Sequence, residues 1–404
     1  MATDSAPIAK DRYPPPMTES VGQTRDFDVV LFGATGFVGR LIAAYLAESA
    51  PSGLRWAIAG RSKDKLRSLH TSLQPRSGEP AIGIVEANVD EPASLAAMAA
   101  STRVLLTTVG PYVRWGLPVA SACVEAGAHY LDLTGEPAYV AGLVRNLDSR
   151  ARERGVALVP CCGFDSIPAD LGVFYTVLQL PEGVPLEVRG YMQADATASG
   201  GTLASALEIL GDRSSGNRRT VAPEQSSDGR RIGSVRPKLH RNRELGIWGL
   251  PLPTVDPLIA LRSAGMLGRY GPDFRYGHFI GQRRLPAALG MALAGGAFIG
   301  AAQLGPVKRL LTRMRPPGSG PSEERRARSW FRFRFVGEGG GERVITEISG
   351  GDPGYDETAK MVAESAILLA ADGAREGGVL TPAVALGQPL IERLGAVGLG
   401  FRRL

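Results

Sequence analysis

Cysteine and histidine are scarce in this chain of 404 residues: there are three Cys and four His. An odd set of Cys, with Cys161 and Cys162 adjacent, excludes a disulfide framework and points to a reducing compartment, read here as cytoplasmic. His70, His129, His240 and His278 are too scattered for a zinc spacing, so no metal is expected. Cys161 and Cys162 end an apolar strand and read as small core residues rather than nucleophiles. The N-terminus also lacks a basic stretch followed by an apolar one. Residues 1–26 therefore read as a disordered leader and not as a signal peptide. Aromatic residues make up only 6% of the chain, and the net charge of +6 comes mainly from Arg spread along it. With no aromatic-flanked basic face, nucleic acid is not expected as a partner; an anionic cofactor, an acyl carrier or lipid headgroups account for the charge as well.

Glycine, by contrast, is abundant at 52 residues, so a glycine triplet alone says little. The triplet Gly33, Gly36 and Gly39 gains meaning from its place, between the apolar run Val29–Phe32 and the helix-forming run Leu41–Leu46. In such a turn one Gly makes the bend, the next lets backbone N–H groups reach a pyrophosphate, and the third lets helix pack on strand. Thr35, Phe37 and Val38 share the turn, whose helix N-terminus suits negative charge. An acid for a ribose 2′-hydroxyl is missing after the second strand, Arg55–Ala59. Arg61, Ser62 and Lys65 stand there instead and offer the cations and hydroxyl that a 2′-phosphate needs, which predicts NADP(H) rather than NAD. Asp90, after the third strand, and Val109, Gly110 and Pro111, after the fourth, complete the expected cofactor contacts.

Strand and helix patterns alternate from Phe27 to about Asp170, which predicts an α/β, Rossmann-type doubly wound parallel sheet over residues 27–170. The segments Gly110–Tyr112, Thr134–Glu136 and Gly163–Ser166 then follow strand ends and share one crevice. Beyond Leu171 the periodicity changes: Leu186–Met192 and Trp330–Val336 alternate like strands with one solvated face. Residues 171–350 are read as a second α+β domain with a mainly antiparallel sheet. Within it, residues 211–243, basic and rich in Ser and Gly, read as a long mobile loop. Residues 351–404 are read as two helices packing back on the first domain. Leu285 to Leu304 contains no charged residue but four Gly, and is flanked by Arg283–Arg284 and Lys308–Arg309. Three readings stand open for it: a buried or cleft-lining helix, a membrane-surface contact or acyl tunnel wall, and a membrane span.

Six segments together resemble the saccharopine dehydrogenase-like oxidoreductases. They are Gly33–Gly39, Ala59–Ser62, Thr108–Tyr112, Tyr130–Glu136, Cys162–Asp170 and Gly377–Ala383. Within that family the chain looks most like the trans-acting enoyl reductases of bacterial polyketide-lipid assembly. The resemblance runs from about Phe27 to the C-terminus, and the Gly163–Pro168 segment is its most specific part. It implies NADPH-dependent reduction of a carbon–carbon double bond in a lipidic acyl thioester, on an acyl carrier, with peripheral contact at the inner face of the plasma membrane and a homodimer as further expectations. Two rivals remain: a dehydrogenase acting on an amino-acid-derived imine, and a non-catalytic NADPH-binding protein at a lipid surface. The Tyr-Lys acid pair of short-chain dehydrogenases is excluded, because no Tyr is followed four positions later by Lys.

For the chemistry, Tyr112 offers a phenol that would donate a proton or bind an enolate oxygen, or else a packing lid. Asp132 and Glu136 read as orienting groups or caps. Asp165 and Ser166 precede a helix that starts at Pro168, so Ser166 is expected to cap it and Asp165 to complement its dipole. The N–H donors of that turn are expected to face a developing enolate. Ser199, Gly200, Gly201 and Thr202 form a second donor-rich turn expected to close over the substrate.

Overall fold

The computed structural model describes residues 25–73, 78–195, 228–252, 254–302 and 320–404. Strands β1 (Phe27–Phe32), β2 (Trp56–Gly60), β3 (Gly83–Glu86), β4 (Thr102–Thr107), β5 (His129–Asp132) and β6 (Ala157–Val159) alternate with helices α1 (Phe37–Ser49), α2 (Lys63–Ser72), α3 (Pro92–Ala100), α4 (Tyr112–Ala126), α5 (Pro137–Glu153) and α6 (Ile167–Leu178). The strands are all parallel, and the order β6-β5-β4-β1-β2-β3 reverses direction between β1 and β4. Ligands of such sheets bind outside the carboxyl ends at that reversal. Val29, Val30, Leu31 and Phe32 are all buried, because helices cover both faces of β1. Burying each such side chain is worth about 1.5–3 kcal/mol. Pro92 and Pro137 open α3 and α5, where the missing N–H costs nothing.

The second sheet contains β7 (Leu186–Asp195), β8 (Arg231–Ser234), β9 (His240–Asn242), β10 (Ile247–Pro251), β11 (Asp273–Gln282), β12 (Trp330–Gly339) and β13 (Glu342–Gly350). It is mixed: β11 runs parallel to β7 and β8, and the other pairings are antiparallel. Two of these strands, β8 and β9, lie in the stretch expected to be a mobile loop. The correction has a simple cause: both are short and lack an apolar pattern of their own, β8 being held by the distant β11 and β9 by the neighbouring β10. Along β12, Phe331, Phe333 and Phe335 are buried while Arg332 and Arg334 alternate onto the opposite face. α6 and α7 (Asp256–Met266) cover the apolar face, so one core joins the two sheets.

α8 (Leu285–Ala302) occupies most of the charge-free run and lies on the surface. Leu289, Met291 and Leu293 are 46%, 38% and 76% exposed, which goes against the first of the three readings, a buried or cleft-lining helix. Among the described residues no helix is long and apolar enough to cross a membrane. After the short α9 (Glu323–Arg328), α10 (Asp356–Asp372) packs on α1 and the first sheet. β14 (Gly378–Val379) pairs with β6 and brings the first sheet to seven strands. Helices α11 (Pro382–Ala385) and α12 (Gly387–Ala396) lead to β15 (Gly400–Arg403), which pairs with β13. The C-terminal segment thus gives a strand to each sheet as well as helices.

Candidate active site

The turn after β1 is shaped to admit a pyrophosphate. Gly33 takes φ +88, in the left-handed region that glycine favours, and a Cβ there would lie 2.6 Å from Thr108 Oγ1. A Cβ on Gly39 would lie 2.3 Å from Gly33 O, so the first turn of α1 packs directly on the loop. No side chain caps α1 at Gly36, which leaves its first N–H groups free for an anion. Thr35 holds the loop through its carbonyl, which accepts from Arg40 Nε at 3.1 Å. The ring of Phe37 turns away onto Tyr355, with centroids 5.0 Å apart. Val38 is half-buried against the core. Val109 stands over Gly33, and Gly110–Pro111 follows with a cis peptide bond.

At the end of β2, Arg61 and Lys65 are exposed and pair with no carboxylate among the described residues. Ser62 occupies the N-cap position of α2, yet its hydroxyl makes no capping bond. A free guanidinium, a free hydroxyl and an uncapped helix start form the donor set that a 2′-phosphate requires. Asp90 is exposed after β3, in a turn braced by Asn88. The chain's residues therefore fit NADP(H) at both the pyrophosphate and the 2′-phosphate.

The ends of β4, β5 and β6 are held by two buried acids. Glu136 accepts from Tyr112 N at 3.1 Å and Val113 N at 2.8 Å and so caps α4. Asp132 accepts from Tyr130 Oη at 2.8 Å, Thr134 N at 2.9 Å and Cys161 N at 3.0 Å. Burial pushes Asp132 up to about 6 despite these donors. The bond to Asp132 braces Cys161, which sits at φ +64, a conformation uncommon for a residue other than glycine. Both Cys161 and Cys162 are buried, and burial pushes their thiols up, which makes them poor nucleophiles.

The three residues expected to act in catalysis are placed differently from one another. Tyr112 is buried, its hydroxyl donating to Thr107 O at 3.2 Å and its ring 5.7 Å from that of Tyr139. This is the packing arrangement. Ser166 sits at the N-cap of α6 but caps nothing: its hydroxyl donates to Asp165 O at 2.7 Å. Part of the expected donor set of this turn is spent, since Phe164 N donates to Thr358 Oγ1 at 3.2 Å, Ser166 N and Ile167 N both donate to Gly163 O, and Pro168 has no N–H. Asp165 alone opens to solvent, beside Gly135, where a Cβ would lie 3.0 Å from Asp165 Oδ2. The protein mass around this cleft position pushes its carboxyl above the ordinary range. Ser199, Gly200, Gly201 and Thr202 lie outside the described residues.

Sequence reasoning missed a buried polar chain beside this turn. Val255, the N-cap of α7, and Ile259 within it pack on Cys161 and Val140, which brings the start of α7 to the crevice. There Asp256 accepts the Thr254 hydroxyl, and His278 Nε2 lies 3.4 Å from Thr254 Oγ1 and 3.8 Å from Asp256 Oδ2. Tyr276 Oη meets His278 Nδ1 at 2.9 Å. Burial raises Asp256, with the Asp165 charge adding to it, and lowers His278 to about 3. His278 is thereby held neutral at physiological pH, while Asp256 is shifted toward its protonated form. These residues carry no local motif; only the crossing of α7 over β11 brings them together. Among the described residues no cluster of His, Cys, Asp and Glu is arranged to hold a metal.

Comparison with known proteins agrees with this geometry. Residues 29–159 match the saccharopine dehydrogenase NADP-binding domain family. A Mycobacterium tuberculosis protein, provisionally named a trans-acting enoyl reductase, is 35% identical over 94% of this chain and 97% of its own length. The trans-acting enoyl reductase of Mycobacterium bovis is 34% identical over 94% of this chain and 99% of its own. That of Mycobacterium ulcerans is 33% identical over 93% and 97%. Among solved structures, apo saccharopine dehydrogenase (L-Glu forming) from Saccharomyces cerevisiae shares the fold, with a TM-score of 0.51 and 14% identity over 93% of this chain and 99% of that one. The chain belongs to the saccharopine dehydrogenase-like oxidoreductases, in the group of the trans-acting enoyl reductases, and is an NADP(H)-dependent oxidoreductase.

Proposed function

We propose that this oxidoreductase reduces the carbon–carbon double bond of a lipidic enoyl thioester, with Asp165 as the proton donor. The observation that carries the reading is the place of Asp165, an exposed residue at the sheet's carboxyl edge, and partial desolvation there raises its carboxyl above the ordinary carboxylate range. A general acid has to hold a proton near neutral pH and lie within reach of the reacting carbon. When bound, the dihydronicotinamide supplies a hydride to the β-carbon of the substrate. Asp165 delivers the proton to the α-carbon, which leaves a saturated thioester, and regains a proton from solvent.

The other groups serve position. Glu136 and Asp132 fix the loops after β4, β5 and β6, so that the backbone at Gly110–Pro111 shapes the floor under the nicotinamide ribose. Phe164 packs on Phe331 with centroids 4.9 Å apart, closing the turn against the second sheet, and the adjacent Trp330 is 42% exposed. These rings, with exposed Val113, give an acyl chain apolar contacts and keep water from the reacting carbons. The exposed apolar α8, entered through Arg283 and Arg284, supports contact with an anionic lipid surface. Purified protein with NADPH and a panel of long-chain enoyl thioesters and amino-acid-derived imines tests the assignment. NADPH oxidation with enoyl thioesters alone is expected; turnover of imines alone would assign the chain to the rival chemistry.

A further inference from the structure

The second sheet carries a cavity of about 500 Å³ on the face turned away from α6, remote from the nucleotide crevice. Its floor is Tyr191, His240 and Asn242. The Tyr191 hydroxyl meets His240 Nε2 at 2.8 Å and accepts from Asn242 Nδ2 at 3.3 Å. Phe279 stacks on Tyr191 and meets His240 edge-on, with centroids 5.5 and 4.6 Å away, so the floor is rigid.

The walls are cationic. Arg189, Arg241, Arg243 and Arg343 line the cavity against two carboxylates, Glu244 and Glu338. Both carboxylates are taken up by Arg343, at 2.6 and 2.7 Å. Arg189 pairs with Glu187 at 2.7 Å, but its Nε is buried without a hydrogen-bond partner. Arg241 and Arg243 are exposed, and neither guanidinium pairs with a carboxylate among the described residues. Cations on an edge strand such as β9 commonly do no more than guard against strand pairing. Here they line a solvent-open depression of ligand-site volume, together with a buried donor that lacks a partner and a pre-set floor. A buried donor without a partner costs free energy until an acceptor arrives.

We propose that this cavity binds a phosphate monoester. Guanidinium groups pair bidentately with phosphate, and the volume leaves room for the ester's organic portion. The site is independent of the redox reading and of the 2′-phosphate site at Arg61. A lipid headgroup and a soluble phosphate ester offer the same chemistry, and the test separates them.

The experiment is isothermal titration of the full chain with glycerol 3-phosphate and with inorganic phosphate, under saturating NADPH so that the nucleotide crevice is filled. Sodium chloride matched in ionic strength is the control. Saturable binding by the wild type, weakened at least tenfold in Arg241→Ala/Arg243→Ala, is the expected result. Both residues are exposed, and unchanged NADPH affinity and melting temperature show that the variant is folded. A parallel arm uses phosphatidic acid vesicles and the chain carrying Leu293→Glu, which weakens the α8 contact: binding to vesicles alone, lost when Arg241→Ala/Arg243→Ala is added, assigns the site to a lipid headgroup. Binding of neither probe, binding equal in the variant, or an effect matched by chloride overturns the proposal.

Discussion

Asp170 of α6 accepts the Ser263 hydroxyl of α7 at 2.5 Å, and its second oxygen accepts from Ala383 N at 2.8 Å. Ser263 also meets Thr381 Oγ1 at 2.6 Å, so one buried carboxyl ties the Rossmann domain, the second domain and the C-terminal segment together. Burial pushes Asp170 up to about 7, from about 3.9 in an unfolded chain. The folded state then binds the proton more tightly than the unfolded state. The contribution is fully present below about pH 4 and is lost as pH rises toward 7. Asp132 acts in the same direction. Thermal melts from pH 5 to 8 should show wild-type stability falling more steeply than that of Asp170→Asn. Parallel curves would remove Asp170 from the account.

Arg61→Ala should weaken NADPH binding by about 1.5–3 kcal/mol, the worth of a hydrogen bond to a charged group. That is roughly ten- to a hundredfold in Kd. NADH binding should hardly move, because NADH has no phosphate to place beside Arg61 and Ser62. Fluorescence titration of both cofactors decides it, and equal losses for the two would count against the assignment.

The first domain was legible because its information is local. A glycine turn between an apolar strand and a helix, an Arg in place of an acid, and regular alternation each sit within a short window. The second domain is different. β8 and β9 form only because β11 and β10 lie beside them, and Asp256 reaches His278 only after α7 crosses β11. Ser166 misled for a related reason: residue type and the following Pro168 fit a cap, but its backbone at φ −152 and ψ −39 turns the hydroxyl onto Asp165 O. The charge-free run around Leu293 gave its helical form, whereas its exposure depended on which surfaces remained to cover it.

Exposed α8 should make the chain bind anionic vesicles. Leu293 is 76% exposed, so Leu293→Glu is expected to leave the melting temperature unchanged while placing a charge on the apolar surface. Cosedimentation with vesicles should fall several-fold in that variant, and high salt should release the wild type, since Arg283 and Arg284 supply the attraction that salt screens. Protein that stays bound until detergent is added would mean a deeper insertion than a surface helix allows.

Asp165 and Tyr112 give opposite expectations. Asp165→Asn retains shape and removes the transferable proton, so turnover of an enoyl thioester should fall about a hundredfold or more, with NADPH affinity unchanged. In the wild type, activity should decline as pH rises through the raised Asp165 titration, because the acid form is lost; the variant should lack this limb. Tyr112→Phe keeps the ring against Tyr139 and removes only the bond to Thr107 O. It should cost about 1 kcal/mol of stability, with turnover nearly retained. Steady-state kinetics and thermal melts on both variants separate the roles. Retained turnover in Asp165→Asn with loss in Tyr112→Phe would return the acid role to the tyrosine and require α4 to open at its first turn, where Glu136 now holds Tyr112 N and Val113 N.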